Sequence, residues 1–596
     1  MTGKAVSVVH PPSTIAPHPA TTDLKALPVP EFDSTLDAYA HALDAVLDGG
    51  DREHAREIME DFRAGIGREL DAALRERAAQ REAQGTNWLH EEWYSGYFTV
   101  RQPLPLSTNV GFQIALPDQD MSTGLDRAVE FIQRAASVHL QAAAGTLPED
   151  IDARGNRVTM NQWFVYAGGL RHPQANEDVF IQTNLDAARR EIGVFVDGQL
   201  FAVQLSDAEG KLASTSGLRA ALENILGTTH AEHSTGLDFN APSLLGSEVL
   251  AEVLPGILGH GNNPAVYDRL RDMLFTIELV DDAPRNDADR IRDITFAPRG
   301  AWAYKPLSYQ ISLHDNWIAV HVEHSCQDGA TLVTAINQMQ KAALPAEESA
   351  TLTEPAVERI AWELDEATTD TLRSRGSSYA KQANTLTAEI ITVPHNQPAD
   401  LPFKISRDTS AQLTMSIAQQ LTFGRVHAVY EAVDMREFRA GRTECLRAAT
   451  PEAVNFAANI VDESATRNDL QAAVDAHRSW IKRCKAGNGF DRHIQMMASI
   501  DASHPFFHDP DATAARRDFL STTSIGGADQ IVRYCFAPSL PEGFGISYTP
   551  LPEAGEFCIS WNISTADRAK EFTQNITKAS TMFWDFCASL HLQHEA

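Results

Sequence analysis

The chain has 596 residues, 43% hydrophobic and 22% charged, which is globular composition in a length too great for one ordinary core; two large lobes are expected. Its net charge of −30, with no basic run to offset it, excludes nucleic acid as a partner. No stretch is long and apolar enough to span a membrane, and no secretory, transit or peroxisomal signal is present, so a cytoplasmic protein without a membrane partner is expected by elimination.

Residues 1–24 are rich in Pro, Thr, Ser and Ala and read as a disordered lead-in. Helical periodicity dominates from 33 to about 84, with a break at Gly49-Gly50. Strands are expected at Val110–Leu116, Asp178–Thr183 and Ile192–Leu205, the last folded into a hairpin at Asp197-Gly198. Trp317–Glu323 alternates as a strand, and Gly329–Leu344 continues as a helix. A Pro, Glu and Thr-rich connection at 345–356 divides the chain near 365, giving lobes over 25–365 and 366–596. The second region is expected to open on a strand, Arg359–Leu364. Helices follow near 409–428, 467–486 and 564–590, with late strands at Gln530–Phe536, Phe544–Thr549 and Phe557–Asn562. Six cysteines, at 326, 445, 484, 535, 558 and 587, show no CxxC pairing; reduced thiols and no metal site are expected.

The segment Glu323-His324-Ser325-Cys326-Gln327-Asp328-Gly329 ends a strand. An acceptor hydroxyl must lose its proton as it attacks a thioester carbonyl, and imidazole titrates near working pH. His324 is therefore a candidate general base, Asp328 a group that orders the loop by pairing with a cation, and Gly329 a tight turn. The same residues would equally serve as a plain strand end and turn. No GxSxG elbow, P-loop or dinucleotide glycine pattern offers a competing chemistry.

Further segments stand in order with this one: Leu27-Pro-Val-Pro-x-Phe-x-x-Thr-Leu36, Asn87-Trp-Leu, Arg101-Gln-Pro-Leu104, Trp302-x-x-Lys-Pro-Leu307, Tyr430-Glu431, Phe438-Arg-x-Gly-Arg-Thr-Glu444, Phe490-Asp-Arg-His493, Leu520-Ser-Thr522 and Pro541-Glu-Gly-Phe-Gly545. Together they resemble the choline/carnitine acyltransferase family from about residue 27 to about 590. The resemblance implies an α/β fold of two chloramphenicol-acetyltransferase-like lobes, mixed sheets with helices, and an active-site tunnel between them. It implies direct acyl transfer between coenzyme A and an amino alcohol, with His324 as base and Asp328 paired to Arg442. Acyl-CoA would be a co-substrate, with no permanently bound cofactor.

Within that family, carnitine needs donors for its carboxylate and choline does not. Gly441-Arg-Thr-Glu444 and Arg492 match carnitine members, so Tyr430, Thr443, Glu444 and Arg492 are expected at the carnitine site. Phe536 matches an aromatic contact for the quaternary ammonium. Tyr534, two residues earlier, matches the position that closes the acyl pocket and implies short acyl chains. The oxyanion donor in Ser521-Thr522-Thr523-Ser524 is Thr523 or Ser524, with Ser521 beside them.

The coenzyme A end departs from the family. Of two lysines expected before a Ser-Pro-Asp, the register leaves Lys404 on the second and Asp400 on the first, with Thr409-Ser410-Ala411 for the tripeptide and Arg407 nearby. This opens weak recognition of the 3′-phosphate, or a pantetheine donor other than free coenzyme A such as a carrier-protein thioester; a carnitine-like amino alcohol as acceptor is a separate alternative. A non-catalytic acylcarnitine-binding protein is a third, against which His324, Asp328 and Arg442 speak.

Overall fold

The computed structural model describes residues 8–9, 23–116, 123–152, 154–185, 190–231, 236–344, 350–398, 401 and 403–592. Most of the expected lead-in and residues 345–349 of the expected connection lie outside these; Val8–Val9 pairs antiparallel with Val179–Ile181. Two mixed sheets with flanking helices make up the body.

The first sheet has eight strands. From one edge they are Val357–Ile360, Gln199–Gln204, Glu191–Val196, Thr276–Val280, Leu307–Ser312, Ile318–Val322, Val110–Ile114 and Ile531–Phe536. The hairpin at Asp197-Gly198 forms as expected: both residues have positive φ, 47° and 74°, the conformation a two-residue primed turn needs. The second sheet has six strands, in the order Leu386–Pro394, Ala554–Asn562, Phe544–Pro550, Leu520–Thr523, Val429–Asp434 and Thr443–Arg447.

The packing crosses the sequence division near 365 more than once. Helices Phe32–Val46, Gly49–Ala64 and Gly67–Ala83 bury Leu36, Tyr39, Phe62 and Leu74 in the core that residues 393–590 build. Ile531–Phe536 leaves its chain neighbours and pairs with Val110–Ile114 in the first sheet. The strand expected at Arg359–Leu364 is Val357–Ile360, and it closes the first sheet against Gln199–Gln204 rather than opening the second. The helix expected near 409–428 runs Arg407–Phe423. It starts where the Ser406 side chain accepts the Thr409 N–H at 3.0 Å and stops at Gly424, whose φ of 72° ends the helical backbone.

Ile318–Val322 is buried along its whole length and ends at Glu323, whose N–H donates to the Pro306 carbonyl. The chain then turns through His324 and enters the helix Gly329–Lys341. That turn faces the second sheet, so the site lies between the two sheets.

Candidate active site

A cavity of about 1160 Å³ lies between the sheets and is lined by His324 and Asp328 from one side and by Tyr430, Thr443, Arg492 and Thr523 from the other. His324 Nδ1 lies 2.5 Å from the Gln327 carbonyl. A carbonyl only accepts, so Nδ1 carries a proton, and in the neutral ring the lone pair is therefore on Nε2. The Tyr97 ring stands 5.9 Å from the imidazole.

Arg442 fastens the turn from the second sheet. It grips Asp328 with two bonds, Nε to Oδ2 at 2.7 Å and Nη2 to Oδ1 at 3.0 Å, and donates Nη1 to the Ser325 carbonyl at 2.9 Å. Gln162 adds a bond to each of the Asp328 carboxylate and N–H. Burial alone would raise the Asp328 carboxyl, but the Arg442 guanidinium outweighs it and holds that carboxyl below its ordinary range. The sequence expectation that Asp328 pairs with Arg442 therefore has its geometry.

Arg492 is the second residue of the helix Asp491–Ala498. Its neighbours are anchored outward: Asp491 accepts Arg447 Nε at 2.6 Å, while His493 meets Asp71 at 2.9 Å and Thr35 at 2.8 Å. In Phe490-Asp-Arg-His493 the Arg thus turns to the cavity while the flanking residues hold it. Its guanidinium donates to the Tyr430 hydroxyl at 2.9 Å, the Thr443 carbonyl at 3.1 Å and Gln495 Oε1 at 3.1 Å, and it stacks 4.7 Å from the Trp93 ring. Glu444 sits behind and accepts the N–H groups of Cys445 and Arg492. Burial pushes its carboxyl up to about 7, against the pull of Arg492.

The strand Leu520–Thr523 alternates. Thr522 also borders the cavity, but its hydroxyl is taken up by neighbours, accepting from Gln412 at 2.9 Å and donating to the Tyr430 carbonyl at 2.8 Å. Ser521 and Thr523 are thereby on the opposite face, and Ser524 follows just past the strand end. The buried Tyr534 hydroxyl lies 3.3 Å from Thr523 Oγ1, the partner its burial requires, and its ring stacks on Phe112 at 5.2 Å. Phe536 lies on the same strand and also lines the cavity.

The two basic residues expected for coenzyme A are not brought to this cavity. Lys404 is exposed. Arg407 bonds the Leu551 and Pro552 carbonyls and lines a separate small cavity, which shares Ser524 with the large one as a lining residue. Asp400 lies outside the described residues. Ser406-Arg407-Asp408 places a Ser-x-Asp pattern at the helix start, three residues ahead of Thr409-Ser410-Ala411.

Sequence reasoning missed Trp93 and Tyr97, four apart on the helix His90–Phe98 and both on the cavity wall; aromatic spacing of one helical turn was the available signal. It also missed the group of half-buried Asp408 with buried Glu431 and His477, whose ligand atoms lie within 4.8 Å of one another. His477 Nε2 is 3.3 Å from Glu431 and Tyr548 donates to Asp408 at 2.6 Å, so these groups satisfy one another. All six cysteines are buried and free.

The sequence profile described as Choline/Carnitine o-acyltransferase matches residues 27–578. This chain belongs to that family. Carnitine O-acetyltransferase of Columba livia is 25% identical over 578 residues, 91% of this chain and 90% of that one. The Homo sapiens protein of the same name is 23% identical, covering 93% and 92%. Mitochondrial carnitine O-palmitoyltransferase 2 of Bos taurus is also 23% identical, covering 94% and 91%. Among solved structures, the trichothecene 15-O-acetyltransferase TRI3 of Fusarium sporotrichioides aligns over 83% of this chain and 94% of its own, at 10% identity and a TM-score of 0.38. The family member described here is an acyltransferase whose family uses acyl-CoA as co-substrate, and among the described residues no helix is long and apolar enough to cross a membrane.

Proposed function

We propose that this acyltransferase moves short acyl groups reversibly between coenzyme A and the hydroxyl of carnitine, with His324 as general base. The observation that carries the acceptor is Arg492: a buried guanidinium on the cavity wall whose side-chain hydrogen bonds go to neutral oxygens. Such a cation suits a carboxylate-bearing ligand. Tyr430 and Thr443 stand beside it as further donors, Glu444 backs the Arg492 helix start, and Phe536 offers a π-face to the trimethylammonium.

In the forward direction His324 Nε2 takes the hydroxyl proton while the hydroxyl oxygen attacks the thioester carbonyl carbon. Thr523 donates to the oxyanion: its oxygen receives the Tyr534 proton, which leaves its own proton to give. Ser521 and Ser524 line the same wall. Collapse breaks the carbon–sulfur bond, and the imidazolium returns the proton to the departing thiolate. Asp328 and Arg442 hold the turn that carries the base. Both substrates bind together, so no acyl-enzyme forms.

Incubation with acetyl-CoA and a panel of amino alcohols, followed by thiol release, tests this reading. Carnitine should be acylated far faster than choline, and equal use of the two would overturn it.

Arg407 spends its donors on carbonyls and Lys404 stands away from the cavity, which favours a donor site that leans little on the 3′-phosphate. Dephospho-CoA thioesters are accordingly expected to serve nearly as well as CoA thioesters. A hundred-fold preference for the 3′-phosphate, about 2.7 kcal/mol, would assign that phosphate to other cations. The same feature is what a carrier-protein donor would need, and acyl-pantetheine on a carrier belongs in the same assay.

Tyr534 is the wall of the acyl pocket in this reading. Stacked on Phe112 and tied to Thr523, it has little freedom to swing aside. Each methylene that finds a buried channel is worth about 0.8 kcal/mol, so removal of the ring should favour longer chains steeply. Tyr534→Gly is expected to shift preference from acetyl-CoA toward octanoyl-CoA. Efficient octanoyl transfer by the unmutated protein would remove the wall from the account.

A further inference from the structure

Two buried guanidinium groups flank the His324 turn. Arg442 approaches from the second sheet; Arg171 approaches from behind, on the strand Leu170–His172. Arg171 and Asp178 are 0% exposed and Glu323 is 1% exposed, so none of the three reaches substrate. Arg171 Nε donates to Asp178 at 2.7 Å, Nη1 to Glu323 Oε1 at 3.1 Å and Nη2 to the Tyr97 carbonyl at 2.8 Å. Glu323 in turn receives the Ser325 hydroxyl at 2.6 Å and the Ser325 N–H at 3.4 Å. The residues on either side of His324 in the chain are thus tied to each other, and Glu323 ties both to Arg171.

A buried ion pair seldom stabilises a fold more than apolar packing of the same volume would. A cluster of this kind directly behind His324 is better accounted for by the geometry it imposes. Its third bond points the same way, because the Tyr97 carbonyl it holds belongs to the residue whose ring faces the imidazole. The charges around the turn are matched in pairs. Glu323 and Asp178 face Arg171, with Arg101 also 2.7 Å from Asp178, and Asp328 faces Arg442.

We propose that Arg171 is a positioning residue that sets the His324 imidazole through Glu323 on one side and Tyr97 on the other. This rests on the reading of His324 as general base. The arrangement also fixes the local field: Asp178 is shared between Arg171 and Arg101, so removing either member of the Arg171–Glu323 pair changes the net charge behind the imidazole by one unit.

Glu323→Gln, Arg171→Met and the double variant, each checked for folding, test the assignment. Misplacing a reacting group by about 1 Å costs on the order of 10²-fold, so each single variant should lose about ten- to a hundredfold in kcat with KM for both substrates within about twofold. The acid limb of the kcat/KM profile should move to lower pH in Glu323→Gln, where the negative charge next to the imidazole is lost. It should move to higher pH in Arg171→Met, where Glu323 is uncompensated, and return toward the wild-type position in the double variant. A residue that merely supports the fold would not lower kcat at unchanged KM in the folded variants together with opposed shifts of the His324 titration. Histidine labelled with ¹³C at Cε1, with the His324 resonance assigned through His324→Ala, reports the same opposed shifts without any substrate. If wild type turns over no acyl-CoA with carnitine, the functional reading fails while this titration still decides the positioning. If Arg171→Met does not fold, Glu323→Gln and Ser325→Ala decide. Unchanged kcat in the folded variants, or shifts of the same sign, would overturn the proposal.

Discussion

His324→Ala should lower turnover by roughly 10²–10⁴-fold, the range over which a positioned general base contributes, while acylcarnitine binding survives. The separation is expected because the cavity's ligand-holding groups do not depend on the imidazole. Arg492 is fixed by Tyr430, Thr443 and Gln495, and Arg442 keeps its two bonds to Asp328. The imidazole bonds the Gln327 carbonyl within its own turn, so its loss leaves one carbonyl to be hydrated beside a large cavity. Single-turnover measurement with acetyl-CoA and carnitine reads the chemical step, and calorimetry with acetylcarnitine reads binding. Near-wild-type turnover would end the proposed mechanism. Loss of binding together with turnover would mean that the substitution had disturbed the site rather than removed a base.

The fold was legible where local chemistry dictates it. The hairpin at Asp197-Gly198 needs positive φ at two successive residues, and Asp-Gly supplies it. The strand into His324 is a run of apolar and β-branched residues ending in a turn. Legibility ended where partners are far apart in sequence. Arg171 meets Glu323 across 152 residues, and nothing near either one in the chain announces the other. The helices at 32–83 carry ordinary amphipathic patterns that do not say which core they complete, and they complete the one built by residues 393–590. Leu386–Pro394 escaped notice because most of its residues are only partly buried, so it lacks the alternation that marks a strand with one face in the core. The choice between Thr523 and Ser524 could not be made from composition, since both are hydroxyl residues. The proposed preference for Thr523 rests instead on contacts from elsewhere in the chain: Tyr534 bonds its hydroxyl, while Gln412 and the Tyr430 carbonyl take up Thr522.

Arg492→Asn should raise KM for carnitine about ten- to a hundredfold while leaving KM for choline nearly unchanged. A hydrogen bond to a charged group is worth about 1.5–3 kcal/mol, which converts to that range. The asymmetry between acceptors follows from the charge each carries: carnitine brings a carboxylate to the guanidinium and choline brings none. Asn was chosen because it keeps a polar side chain at the helix start but cannot form the planar, charged fork. The surroundings predict a further cost in the variant. Tyr430 and the Thr443 carbonyl lose their shared donor, and Glu444 loses the cation that opposes the effect of its burial. Those losses act on both acceptors alike, so a common fall in kcat is expected beneath the selective change in KM. Titrating carnitine and choline side by side separates the two effects. Equal rises in KM for both acceptors would mean that Arg492 shapes the wall without holding the carboxylate, and the acceptor assignment would fall with it.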